Sequence, residues 1–515
     1  MSGDFIEDYE ILEKIGGNMG LGCTLHHLLS GKSRCWQRNT IAEVAQAHFN
    51  DPFPSPPEAR SDAPAGLEAV LARMTSKECG ARFSILSRNF SWFGHSTGSI
   101  QWALEQNMKM TIQCVRTATT VLAVVATSVV HAASFGDEVR FLQKYTPIIV
   151  LQDRGGHAQV AVSPAWQGRV MTSGAGGEAG LSFGWINREL IASGKIQPHI
   201  NVFGGEDRFW LGPEGGQFSI FFAKGSKFEL NDWFTPSAID TLPYTLARRS
   251  KSSATFRSEF SVTNYSGTRF DVKVNREVKL LTAKAIAGNL GIKPGREIKV
   301  VAYETVNRIT NAGKQPWEKR TGLLSVWILG MFNPSPETTI VVPIKTGPES
   351  QLGVEVTSDY FGSVPKDRLQ VKDGTIFFSG DGNYRSKIGI NPKRSKAILG
   401  SYDAASKVLT LVQFTQPEGV TDYVNSLWKM QENPFGGDAS NSYNDGAPSP
   451  GAKPLGPFYE LESSSPAAAL APKQSLTHVH RTMHLSGDEK QLDEIANATL
   501  GVSLTKIQNA LRITK

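Results

Sequence analysis

The segment from Gln197 to Phe218 concentrates side chains that could bind or activate a polar ligand. They are an imidazole, a guanidinium, three carboxylates, an amide and an indole, in His199, Arg208, Glu206, Asp207, Glu214, Gln217 and Trp210. Five glycines interrupt any regular pattern, so we expect a shaped loop rather than core. Such a loop favours a ligand with hydroxyl groups and apolar faces, such as a sugar. The alternative is a turn-rich surface loop in which Trp210 serves only as core.

A second polar segment, from Asn433 to Asp445, is rich in oxygen-bearing side chains. Its candidate ligand-binding residues are Asp438, Asn441, Tyr443, Asn444 and Asp445. Oxygen atoms at this density suit Ca²⁺ or hydrogen bonds to sugar hydroxyls, and Tyr443 offers an aromatic face. The spacing differs from that of an EF-hand, and a loop held by its own Asx turns is an equal alternative.

Three histidines alternate along a predicted strand near the end of the chain. His478, His480 and His484 share one face, because successive side chains of a strand point to opposite sides. An H-x-H pair suits Zn²⁺ or another divalent cation when a carboxylate completes the site. A strand face of hydrogen-bonded histidines explains the pattern better, so we predict no resident cofactor.

Other catalytic chemistry has less support in the sequence. Arg385 and Lys387 alternate on a predicted strand and could contact an acidic sugar, although such residues are usually solvated. An acid of the Gln197–Phe218 segment opposite Glu460 or Glu462 would suit glycoside hydrolysis, depending on their separation. The G-x-S-x-G elbow of a serine hydrolase does not occur in the sequence.

The composition is that of a globular protein with two or three domains. The chain has 515 residues, of which 40% are hydrophobic and 20% charged, and a net charge of +6. Its basic residues form no dense block, which excludes nucleic acid as an expected partner. All four cysteines lie within the first 114 residues, so the composition changes near residue 115.

Residues 108–132 have the order of a secretory signal peptide. Lys109 and Arg116 precede the apolar run Thr117–Val130, and small residues allow cleavage after Ala132. This run is shorter than the roughly 20 residues that span a bilayer, so we expect no stable membrane insertion after cleavage. We therefore predict a periplasmic or extracellular protein, with translation starting near Met108 or Met110. The alternative is that the upstream part is a genuine cytoplasmic extension. A cysteine-free mature chain suits an oxidising compartment.

The stretch DYEILEKIGGNMG, near the start of residues 1–107, resembles the strand that leads into the Gly-rich loop of a bacterial Ser/Thr protein kinase. Its glycines do not fit G-x-G-x-x-G. The stretch from Asn50 to Phe83 resembles the last helices of that domain. Nothing between them resembles the H-R-D or D-F-G motifs, so we expect a degenerate, misassigned or disordered remnant and no phosphoryl transfer.

From about residue 146 to residue 485, short β-rich runs alternate with turn signals. In FDVKVNREVKLL, Phe270, Val272 and Val274 alternate with polar residues, as in a strand with one buried face. This pattern predicts a mainly β protein, a large antiparallel β-sandwich. Residues 488–515 change to helical spacing and predict two short helices, broken near Gly501, that pack on the sandwich.

Three passages between residues 134 and 487 carry a resemblance to known proteins. They are WQGRVMTS with GWINRELI, HINVFGGEDRFWLGPEGGQF, and YVNSLWKMQENPFGGDASNSYNDGAPSP with FYELESSSPAAALAPKQSLTHVHRTMHL. With them, this part of the chain resembles the galactose-mutarotase-like superfamily of β-supersandwich proteins, and within it a secreted bacterial subfamily of unknown function. We therefore divide the chain into a kinase-like remnant (1–107), a signal-like segment (108–132), the sandwich (133–487) and a helical tail (488–515).

The resemblance implies a saccharide on the concave face and, for sugar 1-epimerases, a carboxylate base with a histidine acid. That resemblance places the base at a late Glu before a Pro/Lys turn, which is the favoured Glu462 or, on the same strand face, its alternative Glu460. His199, in the glycine-rich loop, is the candidate acid. The paired histidines of that superfamily have no recognisable motif here. A noncatalytic carbohydrate-binding or envelope protein, and a glycan hydrolase or lyase, remain alternatives; the oligomeric state is not predicted.

Overall fold

The computed structural model describes residues 133–449 and 451–512. The kinase-like residues 1–107 and the signal-like residues 108–132 lie outside the described residues. Of the helices that the structure describes, none is long and apolar enough to cross a bilayer.

The described chain is mainly β, and its strands pair antiparallel in three sheets. The strands are β1 (Ile149–Gln152), β2 (Ala158–Ser163), β3 (Arg169–Ala175), β4 (Leu181–Ser182), β5 (Arg208–Gly212), β6 (Thr245–Arg249), β7 (Ser253–Thr263), β8 (Arg269–Leu280), β9 (Ile298–Asn311), β10 (Ser325–Phe332), β11 (Thr338–Pro343), β12 (Leu369–Lys372), β13 (Thr375–Ser379), β14 (Ser386–Ile390), β15 (Ile398–Asp403), β16 (Val408–Phe414), β17 (Ser440–Asn444), β18 (Tyr459–Ser464) and β19 (Ser475–Gly487). This confirms the mainly antiparallel β class predicted from the alternating runs.

A ten-stranded sheet, in the order β12-β13-β11-β15-β16-β19-β9-β8-β7-β6, forms one layer. The five-stranded sheet β14-β17-β18-β10-β5 and the four-stranded sheet β1-β2-β3-β4 cover it. Alternation creates the core between the layers: in β8, Phe270, Val272 and Val274 are at most 1% exposed. These side chains pack in one cluster with Phe209 and Val326 of the five-stranded sheet. The layers are therefore joined by apolar packing.

Helices occupy the ends and outer surfaces of the sandwich. They are α1 (Phe135–Gln143), α2 (Arg188–Ser193), α3 (Ser237–Asp240), α4 (Ala283–Leu290), α5 (Glu349–Leu352), α6 (Glu489–Leu500) and α7 (Leu504–Asn509). The Asp488 side chain accepts from the Gln491 N–H and caps α6, and Gly501 ends it with φ 72°. Leu492 and Ile507 pack in one cluster with Leu411 of β16, so the tail covers the outer face of the large sheet.

The loop expected between Gln197 and Phe218 is in part a strand, which corrects the interpretation of its glycines. Residues 208–212 form β5, and Trp210 is 2% exposed. Gly204 and Gly205 have φ values of 90° and 112°, and the Gly205 N–H donates to the Trp185 carbonyl at 2.9 Å. These glycines allow two backbones to approach closely, and they therefore precede core rather than an exposed loop.

Candidate functional site

One face of the five-stranded sheet packs on the large sheet, and the other face carries polar and aromatic side chains toward a cleft. Strand pairing sets these side chains in rows. Lys387 is opposite Tyr443, which is opposite Glu460. In the next row, Asn441 is opposite Glu462. The sheet thereby assembles in one surface residues that are far apart in the chain, including Glu460 and Glu462, which share a face as the sequence predicts.

Two buried ion pairs cross between these rows. Lys387 Nζ lies 3.1 Å from Glu462 Oε2, and Arg208 Nη2 lies 3.0 Å from Glu460 Oε1. The Trp327 indole N–H also donates to Glu462 Oε2 at 2.8 Å. Glu462 is fully buried and lines neither of the two cavities described below, so the favoured base is held by protein groups. Arg208 stacks at 4.2 Å over Trp210, and its Nε and Nη1 find no acceptor among the described residues.

The pKa values of Glu460 and Glu214 are both raised. Burial raises the pKa of Glu460 to about 8; Glu462 adds to the rise, and Arg208 and Lys387 oppose it. Burial also raises the pKa of Glu214 to about 7, an effect that Lys387 offsets only in part. Glu214 follows β5 by two residues, and its backbone N–H donates to Ser426 Oγ at 3.2 Å. Such carboxyl groups can exchange protons near neutral pH.

A cavity of about 530 Å³, here called the aromatic cavity, opens over this surface. Its walls are mostly aromatic and aliphatic, and they include Trp210, Trp233, Trp327, Trp428, Tyr443 and Phe458. Glu214, Glu460, Arg208 and Asp445 supply polar groups. His199 also lines it, with Nδ1 bonded to the Trp233 carbonyl at 2.7 Å. Because a carbonyl only accepts, that nitrogen carries the proton and Nε2 is left for other contacts.

An adjoining cavity of about 510 Å³, here called the polar cavity, is lined by Asp438, Asn441 and amide and hydroxyl side chains. The Tyr360 hydroxyl donates to Asp438 and accepts from Asn441 Nδ2 at 3.1 Å. Burial raises the pKa of Asp438 to about 6, although the bond from Tyr360 opposes the rise. Asp438 and Asn441 thus face a cavity, as a ligand-binding role requires.

Glu206 and Asp207 lie away from both cavities, in the core, and this corrects their assignment to the ligand site. Both are fully buried. Glu206 accepts from Ser173 Oγ at 2.8 Å and lies 3.2 Å from His484 Nε2. Asp207 pairs with the equally buried Arg276 at 2.6 Å. A buried carboxylate needs such partners, so these acids stabilise the junction between sheets.

Two further predicted ligand residues have structural partners. Asn444 lies on the opposite face of β17 from Tyr443, and its Oδ1 accepts from the Gly382 N–H at 2.8 Å. Gln217 is bonded to the backbone of Gln431, with its Nε2 2.8 Å from that carbonyl. Neither lines the aromatic cavity or the polar cavity. Asp445 does line the aromatic cavity, and it accepts from the Tyr443 hydroxyl at 2.7 Å.

The histidines of β19 face the interior between the sheets. Ser463 Oγ lies 2.8 Å from both His478 Nε2 and His480 Nδ1. His484 Nδ1 lies 2.9 Å from Thr410 Oγ1. Within residues 133–449 and 451–512, no group of three His, Cys, Asp or Glu side chains is arranged to hold a metal ion. The histidines occupy the hydrogen-bonded strand face that the sequence favoured.

Residues 133–511 match a family of unknown function, DUF6786. The chain belongs to this family. No curated protein matches the sequence.

Solved structures with similar architecture share little sequence with this DUF6786 protein. The Slr1438 protein from Synechocystis sp. PCC 6803 is 12% identical with a TM-score of 0.41, and the match covers 67% of this chain and 96% of that one. A galactose mutarotase related enzyme from Lactobacillus acidophilus is 9% identical with a TM-score of 0.36, and the match covers 66% of this chain and 98% of that one. A galactose mutarotase-like protein from Lactobacillus casei ATCC 334 is 10% identical with a TM-score of 0.35, and the match covers 66% of this chain and 99% of that one.

The DUF6786 site also contains residues that the sequence did not single out. Trp327, Tyr360 and Trp428 line its cavities, and Lys387, named from the sequence only as a possible contact for an acidic sugar, lines both. Trp327 lies within the apolar run LLSVWILGMF, where an indole is indistinguishable from core. Its pairing opposite Trp210 places it in the cleft.

Proposed function

We propose that the protein binds a saccharide in this cleft and exchanges protons with it through Glu214 and Glu460. The observation that carries the proposal is that two carboxyl groups titrating near neutrality line one aromatic cavity. Aromatic faces suit the apolar faces of a sugar ring, and raised pKa values suit acid–base catalysis. The galactose-mutarotase-like motifs of the sequence suggest the same ligand class.

The reaction we propose is anomeric interconversion. Protonated Glu460 gives its proton to the ring oxygen while ionised Glu214 takes the proton of the anomeric hydroxyl. The bond from C1 to the ring oxygen breaks, and the hydroxyl oxygen becomes an aldehyde carbonyl. Rotation and reclosure on the other face reverse both proton transfers. We assign the base to Glu214 rather than Glu462, because Glu214 lines both cavities, whereas Glu462 lines neither and its Oε2 is bonded to Lys387 and Trp327.

A noncatalytic saccharide-binding protein is the second candidate function. The ion pair between Arg208 and Glu460 favours it, because a carboxyl group engaged by a guanidinium is less available for transfer. The unpartnered Arg208 nitrogens would then donate to sugar oxygens.

Anomeric exchange measured by NMR with a panel of free mono- and disaccharides separates the two candidates. Exchange above buffer that falls at least a hundredfold in both Glu214→Gln and Glu460→Gln supports catalysis. The exposed Glu349→Gln is the control for the change of charge. Saturable line broadening without exchange supports binding alone. If no sugar of the panel broadens or exchanges, the saccharide proposal fails.

We also propose that the protein is exported and begins near Ala133. The signal-like segment supports this, and the family match starts at residue 133, directly after the predicted cleavage site. Fractionation of the producing cell with mass spectrometry of the N-terminus tests it. A cytoplasmic protein that retains residues 1–132 would contradict it.

A further inference from the structure

The two cavities adjoin, yet their linings differ in chemistry. The polar cavity offers carboxyl, amide and hydroxyl groups, from Asp438, Asn441, Asn425, Thr357 and Asn391. The aromatic cavity has walls of tryptophan, phenylalanine and aliphatic side chains. Sugar hydroxyls need hydrogen-bond partners when they leave water, whereas an apolar group gains by burial against rings. Each cavity thus suits a different chemical part of a ligand.

A single ligand can extend from one cavity into the other, because several residues line both. Glu214, Trp327, Tyr360 and Lys387 are among the residues that line both. Volumes of about 530 and 510 Å³ each fall within the range of small-molecule sites. The carboxyl group of Glu214 is therefore next to the point where the two parts of a ligand would be joined.

Apolar side chains also lie at the mouth of the aromatic cavity. Leu230, Phe361 and Leu455 line it, and they are 59%, 43% and 48% exposed. Exposed apolar groups around a concave site mark a surface that an apolar partner covers. The rim and the tryptophans together offer more apolar surface than the faces of one sugar ring can cover.

We propose that the preferred ligand is a glycoside, with its sugar in the polar cavity and an apolar or aromatic aglycone in the aromatic cavity. This inference rests on the noncatalytic saccharide-binding candidate proposed above and specifies its ligand class; it excludes anomeric exchange of that ligand, because a glycoside has no free anomeric hydroxyl and Glu460 does not line the polar cavity. The glycosidic linkage lies beside Glu214, and the rim residues contact the aglycone.

Calorimetric titration with matched glycosides tests the inference. The probes are the methyl and 4-nitrophenyl glycosides of glucose, galactose, mannose and xylose in both anomers, with 4-nitrophenol alone and the disaccharide of each sugar. We expect one 4-nitrophenyl glycoside to bind at least tenfold tighter than its methyl counterpart, since the aryl ring is buried. The free phenol should bind more weakly than that glycoside.

Two variants assign the halves of the ligand to the cavities. Phe361→Ser, on the rim, should remove most of the aryl advantage and leave the affinity for the methyl glycoside within twofold. Asp438→Asn, in the polar cavity, should weaken both glycosides by a similar factor. Thermal unfolding verifies that each variant is folded, and Phe361 is exposed enough for its replacement to be tolerated.

Each outcome bears on one proposal or both. Equal affinity for the methyl and 4-nitrophenyl glycosides, or tightest binding of a disaccharide, overturns the aglycone inference and leaves saccharide binding intact. If 4-nitrophenol binds as tightly as its glycosides and the methyl glycosides do not bind, both proposals are wrong. An aryl advantage that Phe361→Ser does not change overturns the assignment to the aromatic cavity.

Discussion

Lys387 of β14 reaches across β17 to Glu462 of β18, and their charged atoms lie 3.1 Å apart. Glu462 is fully buried, and the Lys387 side chain is 11% exposed. Burial lowers the pKa of Lys387, but Glu462, Glu214 and Glu460 outweigh it and raise the pKa above its usual value. The lysine is therefore charged, and it neutralises the carboxylates that the sheet gathers beneath the cleft.

Replacing Lys387 by Met should destabilise the protein by about 3–5 kcal/mol, because Glu462 is left charged, buried and uncompensated. Adding Glu462→Gln should restore much of that loss. Urea unfolding of the single and double variants measures this coupling. Lys273→Met is the matched control: its pair with Glu259 is exposed, and its removal should change stability by at most about 1 kcal/mol. A double variant no more stable than Lys387→Met would contradict the prediction.

Gly389→Ala should disturb the polar cavity. A Cβ at this position would overlap the Asp438 carboxyl group and the Tyr360 hydroxyl. We expect a loss of about 1–3 kcal/mol and weaker saccharide binding, as in other overpacked sites. Gly288→Ala in α4 has open space around its Cβ and serves as the control, which should be neutral or stabilising. Calorimetric unfolding and ligand titration check both, and unchanged binding in Gly389→Ala would show that the cavity does not hold the sugar.

Anomeric exchange should have a bell-shaped pH profile. The base Glu214 must be ionised, so the rate should rise as the pH passes its pKa of about 7. The acid Glu460 must be protonated, so the rate should fall above its pKa of about 8. Glu214→Gln should remove the rising limb together with most activity, and NMR exchange rates from pH 5 to 10 measure both limbs. A rate independent of pH would exclude these residues as acid and base.

Two buried histidines should work against stability as the pH drops below 6.5, whereas Glu214, Glu460 and Asp438, whose pKa values folding raises, act in the opposite direction. Burial lowers the pKa of His478 to about 3 and that of His480 to about 4. In the unfolded chain both have pKa values near 6.5, so unfolding takes up protons between pH 6.5 and 4. Each histidine then removes up to about 1.4 kcal/mol per pH unit.

Urea unfolding should show that His478→Asn and His480→Asn each lose less stability, or gain more, between pH 6.5 and pH 4 than the wild-type protein does. The exposed His157→Asn is the matched control. Slopes that match the wild type in both buried variants would show that the two histidines take up no extra protons on unfolding.

The regular elements were largely predictable, because their signals are local. Alternation along FDVKVNREVKLL indicated β8, and Asp488 and Gly501 are consistent with the helix ends observed in the tail. The loop predicted between Gln197 and Phe218 was wrong in part because it was also inferred from local signals. Glycine signals a turn when it is read alone, whereas Gly204 and Gly205 serve a close approach to Trp185, a contact that no local pattern contains.

The candidate site depended on contacts between distant parts of the chain. From composition and spacing, the sequence indicated side chains that are typical of carbohydrate-binding sites. It also placed Glu460 and Glu462 on one face, because successive side chains of a strand point to opposite sides. It could not separate the acids by environment: Glu206 and Glu214 are eight residues apart, yet one is a core acid and the other lines both cavities. Burial, strand pairing and the ion pairs of Lys387 and Arg208 set those roles, because desolvation and neighbouring charge arise only once the sheets are packed.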